Sequence, residues 1–247
     1  MSSWDQLAVR GKVVAKVRGT SCITVDQVRT CFYATLLQLS WFPKYVQDIQ
    51  NMLQGAGQNV ERKIDVSELL RAVLYWHLRY TARETESIAK EVDHMIRLYQ
   101  QAATNDPLQL PNGALDHADK LDMDAAAGLD LDDMFRETRK LICSTDLSRA
   151  SFPWMHDWRT LDRSCIAVAQ CPFDTFYWTN DGRLVLTFSK VRPGDQIALL
   201  HGYRNPAILE LQPLGTYKYV TSCFCDRAME TAAIDWADED ADDLVLE

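Results

Sequence analysis

Between residues 177 and 231 turn-forming residues recur at short intervals. No other feature limits the fold as tightly, because the chain between successive turns is only long enough for short strands. Tyr177-Trp178-Thr179 leads into Asn180-Asp181-Gly182, a hairpin signal whose residues tolerate positive φ, and the β-rich run 184–188 follows. Arg192-Pro193-Gly194-Asp195 sets the next turn, Pro by fixing φ and Gly by reaching conformations that other residues resist. Strand-length runs at 197–200, 207–211 and 217–225 come after it, punctuated by Asn205-Pro206, Pro213 and Gly215. Five strands in about fifty residues predict a small antiparallel barrel or curled sheet.

Five segments carry a second signal: Thr179-Asn180-Asp181-Gly182-Arg183-Leu184, Arg192-Pro193-Gly194-Asp195, Leu199-Leu200-His201-Gly202, Pro206-Ala207-Ile208-Leu209, and the run from Tyr217 to Met229. In order and spacing they resemble the C-terminal module of fungal heterokaryon-incompatibility proteins, with Trp158-Arg159-Thr160-Leu161 as an outlying match. The chain departs from that pattern at Val185, where a second glycine is usual, and at Glu210, where Arg is favoured. It departs again at Arg227-Ala228-Met229-Glu230-Thr231, which stands in place of a Gly-x-Met-x-Gly closing. In full-length relatives the module follows an effector domain marked by a Trp- and Gly-containing entry motif and a Cys-Ile-Asn-Gln-like motif. Neither motif occurs here, so the resemblance implies a stand-alone derivative of the module and not a cell-death effector of the usual type.

Upstream the periodicity is helical. Thr24 and Gln27 form a capping box ahead of Val25, Val28, Phe32, Leu36 and Leu39. Pro43 opens a second segment bearing Tyr45, Val46, Ile49, Met52 and Leu53, which stops at Gly55-Ala56-Gly57. Asp65 with Glu68, and Thr81 with Glu84, cap two more, and Leu131, Met134, Phe135, Thr138, Leu141 and Ile142 mark a fifth. Residues 7–17 alternate valines with Arg10, Lys12 and Lys16 in a pattern that fits a short basic helix or a strand. The fold class that follows is α+β: about five helices, over residues 1–160, packed on a β-unit at 161–231 within a single domain at 1–234. An Asp-rich stretch at 104–130 reads as a mobile loop, and 235–247 as an acidic disordered tail.

The net charge of −9 bears on partners only after it is localised. Asp235, Asp238, Glu239, Asp240, Asp242, Asp243 and Glu247 account for most of the excess, so the body is near neutral and nucleic acid is not an expected partner. No apolar run approaches the roughly 20 residues of a membrane span, and no charged segment followed by an apolar one opens the chain, which predicts a cytoplasmic protein. Seven cysteines without a Cys-x-x-Cys pair support neither a disulfide framework nor a zinc site. Asp122-Met123-Asp124 lacks the third acid and the glycine of a calcium loop, so no metal and no cofactor are expected.

Sequence motifs for covalent, nucleotide-dependent or metal-dependent catalysis are absent: no Gly-x-Ser-x-Gly, phosphate-binding Gly-rich loop or His-Glu-x-x-His occurs. His77 and His94 read as packing or surface residues on helices. His156 beside Asp157 is a candidate acid–base pair, and His201 before Gly202, with Arg204 following, is a candidate at a strand end. Aromatic residues crowd the β-unit and its approach. Trp154, Trp158, Tyr177, Trp178 and Tyr203 are candidate substrate-binding residues, and Tyr217 and Tyr219, two apart on one strand face, are candidate hydrogen-bond donors to a substrate.

An aromatic cavity without a nucleophile suits a cofactor-free pericyclic cyclisation of Diels–Alder type on an apolar terpenoid or polyketide, since such reactions need only a near-attack geometry and a hydrogen bond to a conjugated carbonyl. The resemblance places such a protein in fungal secondary metabolism. The other reading is a non-enzymatic interaction or regulatory component of an incompatibility system.

Overall fold

A computed structural model of the chain describes residues 6–37, 42–56, 66–81, 85–104, 130–143, 153–203, 205–225 and 241–247. Two compact units emerge. One takes its described residues from 6–24 and 172–247 and holds every strand; the other, from 25–171, holds the helices. The coarse class, a mixture of helix and sheet, is as the sequence predicts, but the order of the parts differs.

Strand β1 (Leu7–Thr24) settles the helix-or-strand alternative at the start of the chain. Arg10, Lys12, Lys16 and Arg18 are exposed while Gly11, Ala15 and Val17 are buried, the two-residue alternation of a sheet. The helical part therefore does not begin at residue 1. The other strands are β2 (Thr175–Thr179), β3 (Leu184–Thr187), β4 (Gln196–Leu200), β5 (Ala207–Leu211), β6 (Tyr217–Cys225) and β7 (Asp242–Leu246). All pair antiparallel except for a single parallel bridge between Tyr217 of β6 and Leu246 of β7.

β1 serves three partners in succession: β7 along Leu7 to Gly11, β4 along Gly11 to Lys16, and β2 from Val17 to Thr24. Register shifts after Val13, Val17 and Thr20 bend it from one partner to the next. β2 continues to β3, β3 to β6, β6 to β5 and β5 to β4, so six strands pair in a ring and β7 adds outside it. The inner cluster comprises Ala15, Val17, Tyr177, Val185, Val191, Ile197, Ile208, Cys223 and Cys225. A second cluster, Ala198, Leu200, Ala207, Leu209 and Leu244, carries Val9, Val13, Tyr217 and Leu246 at its margin.

The Pro-Gly-Asp turn shows why its residues are needed. Gly194 takes φ 100°, a left-handed value that side chains resist, and its N–H donates to Val17 O at 2.8 Å. The buried Asp195 accepts from Arg192 N–H at 2.8 Å, while its own carbonyl accepts from Val17 N–H at 2.8 Å. One turn is thereby stitched to β1.

The expected acidic disordered tail requires correction. Residues 226–240 lie outside the described residues, but 242–246 form β7, because Leu244 enters the second cluster while Asp242 and Asp243 stay exposed and Arg10 lies opposite Asp243. Charge density dominated the composition and hid an alternating strand. The Asp-rich stretch 105–129 also lies outside the described residues.

The helical unit contains α1 (Val25–Leu37), α2 (Phe42–Ala56), α3 (Val66–Thr81), α4 (Thr85–Thr104), α5 (Leu131–Cys143) and α6 (Trp158–Ala169), with a 3₁₀ turn at Pro153–Asp157 before the last. Five of these are where the apolar periodicity puts them, but Thr81, read with Glu84 as the cap of the fourth, is the last residue of α3, and α4 begins at Thr85. α6 falls across the place where the sequence begins the β-unit, and the strands start only at Thr175. Its buried face is Leu161, Ser164, Cys165, Ala167 and Val168, a helical spacing built from small residues that gives little apolar contrast.

α1 is the central helix: Val25, Val28, Cys31, Phe32, Tyr33, Ala34, Thr35 and Leu36 are all buried. Phe32 stacks on Tyr99 with ring centroids 6.0 Å apart, and Tyr33 meets Phe135 at 6.1 Å. Arg29 donates to the carbonyls of Val168 at 3.1 Å and Ala169 at 3.4 Å and to that of Cys171, so a cation closes the C-terminal end of α6, where unpaired carbonyls and the helix dipole favour it.

Candidate functional site

The sequence candidates divide between the two units. Tyr177 belongs to the inner cluster of the sheet unit, 6% exposed, and its hydroxyl accepts from Val191 N–H at 3.4 Å, a structural contact. Trp178 is half-buried, opposite Leu184 on β3. Tyr217 rests against the second cluster, while Tyr219 is 42% and Tyr203 55% exposed. The expectation that Tyr217 and Tyr219 face an internal cavity is corrected: β6 gives Cys223 and Cys225 to the inner cluster and packs the partly buried Val220 against it, and the register shift between Ile208 and Leu209 realigns β6 between these residues and the two tyrosines. His201 is exposed, and its backbone N–H donates to Arg10 O at 2.8 Å; Arg204 lies outside the described residues.

The remaining candidates belong to the helical unit. The 3₁₀ turn holds the backbone of Trp154, whose side chain is outside the description, and the exposed His156. Trp158, half-buried, has the Arg159 guanidinium 5.5 Å from its ring centroid. His156 and Asp157 are neighbours in sequence, yet the histidine that Asp157 meets is another one.

His94 Nε2 lies 2.8 Å from Asp157 Oδ2. Asp157 is the N-cap of α6, accepting from Thr160 N–H at 3.2 Å and from the Thr160 hydroxyl at 2.8 Å. Burial pushes its carboxyl up, but the hydrogen bonds from His94 and Thr160 outweigh it and leave the pKa below the usual carboxylate value. The carboxylate can only accept, so Nε2 carries the proton and Nδ1 of the neutral ring holds the lone pair. About a third of each side chain is exposed.

The surrounding side chains are also polar. Glu91, one helical turn before His94 on α4, pairs with Arg163 of α6 at 2.5 Å. Burial, with the charge of Arg163 added, lowers the pKa of His77 on α3. Ser164, one turn beyond Thr160 on α6, is buried and donates to Thr160 O at 2.8 Å, so it is not presented to His94 as a nucleophile. The arrangement holds an oriented imidazole suited to moving a proton rather than to acyl transfer.

Sequence reasoning missed His94 because only tertiary packing brings α4 to the start of α6. One signal was available: Asp157 followed three residues later by Thr160 is an N-cap pattern, which turns the carboxylate toward its own helix and away from His156.

Among the described residues no group of three or more His, Cys, Asp or Glu could hold a metal ion, and no helix is long and apolar enough to cross a membrane. Compared with protein-family models, curated proteins and solved structures, the chain matches none.

Proposed function

We propose that this chain is a relative of the C-terminal module of fungal heterokaryon-incompatibility proteins, that its six-strand ring is a small antiparallel β-barrel, and that it works as a non-enzymatic interaction or regulatory component. The observation that supports this reading is the filled interior: Tyr177, Val185, Ile197, Ile208, Cys223 and Cys225 occupy the space where a small barrel would take a ligand. The turn glycines support the kinship. Gly182, Gly194 and Gly202 stand within the segments that resemble the module, and each takes a φ between 78° and 100°.

A second reading, the cofactor-free cyclase acting on an apolar terpenoid or polyketide, is favoured by one observation. The His94–Asp157 pair provides a positioned imidazole whose Nδ1 accepts a proton and, once it carries one, donates it in a hydrogen bond to a substrate carbonyl. Native mass spectrometry of protein purified from a fungal host separates the two. A bare polypeptide mass, together with an unchanged terpenoid and polyketide profile when the gene is deleted, is expected. A bound apolar molecule of a few hundred daltons, or an uncyclised intermediate accumulating in the deletion strain, would replace the first reading with the second.

A further inference from the structure

The six ring strands each find two pairing partners without β7, which adds to the free edge of β1 along Leu7 to Gly11. Beneath it lies a shaped receptor. Leu244, 5% exposed, enters among Ala198, Leu200, Ala207 and Leu209, with Val9 and Val13 beside it. Gly11 is what admits it: a Cβ at that position would stand 2.9 Å from Leu244 Cδ1. Arg10 lies directly opposite Asp243 and donates to Ala241 O at 3.4 Å, and Glu247 N–H donates to Tyr217 O at 2.9 Å. Residues 242–246, with the pattern acid–acid–Leu–x–Leu, fill this groove through Leu244 and Leu246.

We propose that the groove accepts β7 from a second copy of this chain, so that two molecules exchange strands across the β1 edge. The ring closes before the seventh strand arrives, so withdrawing β7 leaves every ring pairing in place and exposes an apolar cluster and an open sheet edge, the features to which an extended segment adds. The second copy carries the matching acidic–Leu–x–Leu strand, with Asp243 for Arg10 and Leu244 for the space over Gly11. Residues 226–240 join β6 to β7 and reach about 50 Å when extended, enough for the strand to serve a neighbouring molecule. The exchange uses the same contacts in trans as in cis, so its extent is governed by protein concentration and by the connecting segment.

Ala8 and Val245 are cross-strand partners at the outer side of this pairing, neither of them fully buried, which makes them suitable for a trap. Ala8→Cys and Val245→Cys are prepared as separate single variants, mixed in equal amounts, unfolded and refolded together, then oxidised. A disulfide between positions 8 and 245 joining two chains, identified by peptide mapping, is the expected result. The double variant in one chain should give the same bond, within monomers at low concentration and between chains at high concentration. An intramolecular bond at every concentration in the double variant, with no interchain 8–245 bond in the mixture, would overturn the proposal. So would wild-type protein that sediments as a monomer at the highest concentration it tolerates.

Discussion

Gly11 sits where β1 passes from β7 to β4, and its missing side chain is a packing requirement. An added Cβ would lie 2.8 Å from Leu199 O and 2.9 Å from both Leu200 Cδ2 and Leu244 Cδ1. Gly11→Ala should destabilise by about 1–3 kcal/mol, the usual effect of overpacking. Gly19→Ala, where nothing lies within 4 Å, should be neutral or mildly stabilising. Urea midpoints of the two variants give the comparison.

Asp157 carries two roles that substitution can separate. Asp157→Asn keeps a capping oxygen for Thr160 and loses the charge facing His94, whereas Asp157→Ala loses the cap as well and should cost about 1 kcal/mol more. Because the folded carboxyl titrates below its ordinary value, its stabilisation is fully present above the unfolded pKa and disappears as pH falls through the folded one. The stability gap between wild type and Asp157→Asn should therefore be widest near neutrality and close at acid pH. A gap independent of pH would show that the charge contributes nothing.

Thiol reactivity follows burial in the same way. Burial pushes Cys31 up to about 12 and raises Cys165 and Cys223 well above the ordinary thiol value, while Cys143 is exposed. Iodoacetamide should alkylate Cys143 in the native protein long before Cys31, Cys165 or Cys223, and peptide mass spectrometry would order the sites.

Among the elements, β7 is the one whose importance composition conceals. It adds five residue pairs to β1 and places Leu244 in the second cluster. Leu244→Ala should cost about 2–3 kcal/mol, near the low end for a buried leucine because the strand lies at an edge where neighbours can relax; the half-buried Val245→Ala should cost under about 1 kcal/mol. Thermal melts distinguish the pair, and equal losses would place Leu244 outside the cluster. Deleting residues 241–247 removes the same contacts and exposes the second cluster, so a lowered melting temperature is expected where a disordered tail would have left it unchanged.

At the scale of the molecule, chain order and spatial order diverge. β1 precedes the helical unit and every strand it pairs with follows that unit, so the sheet is discontinuous in sequence. A fragment of residues 172–247 keeps six strands but lacks Ala15, Val17 and the partner of β2, β4 and β7. It should be largely unfolded by circular dichroism and should gain sheet structure when a peptide of residues 6–24 is added. A fragment that folds alone would mean that β1 only decorates the ring.

Much of what could be read locally was read correctly: the turns at Asn180-Asp181-Gly182 and Pro193-Gly194, the strands between them and five helices all depend on propensities within a few residues, although Thr81, read as a cap, ends α3. Tertiary structure decided the rest, because long-range pairing has no local signature. It made a strand of residues 7–24 by giving it three partners and a strand of 242–246 by giving Leu244 a cluster to enter. It turned Tyr219 toward solvent through one register shift, and it chose His94 over His156 as the partner of Asp157 because α4 and α6 meet in space while their residues lie sixty-three apart in sequence.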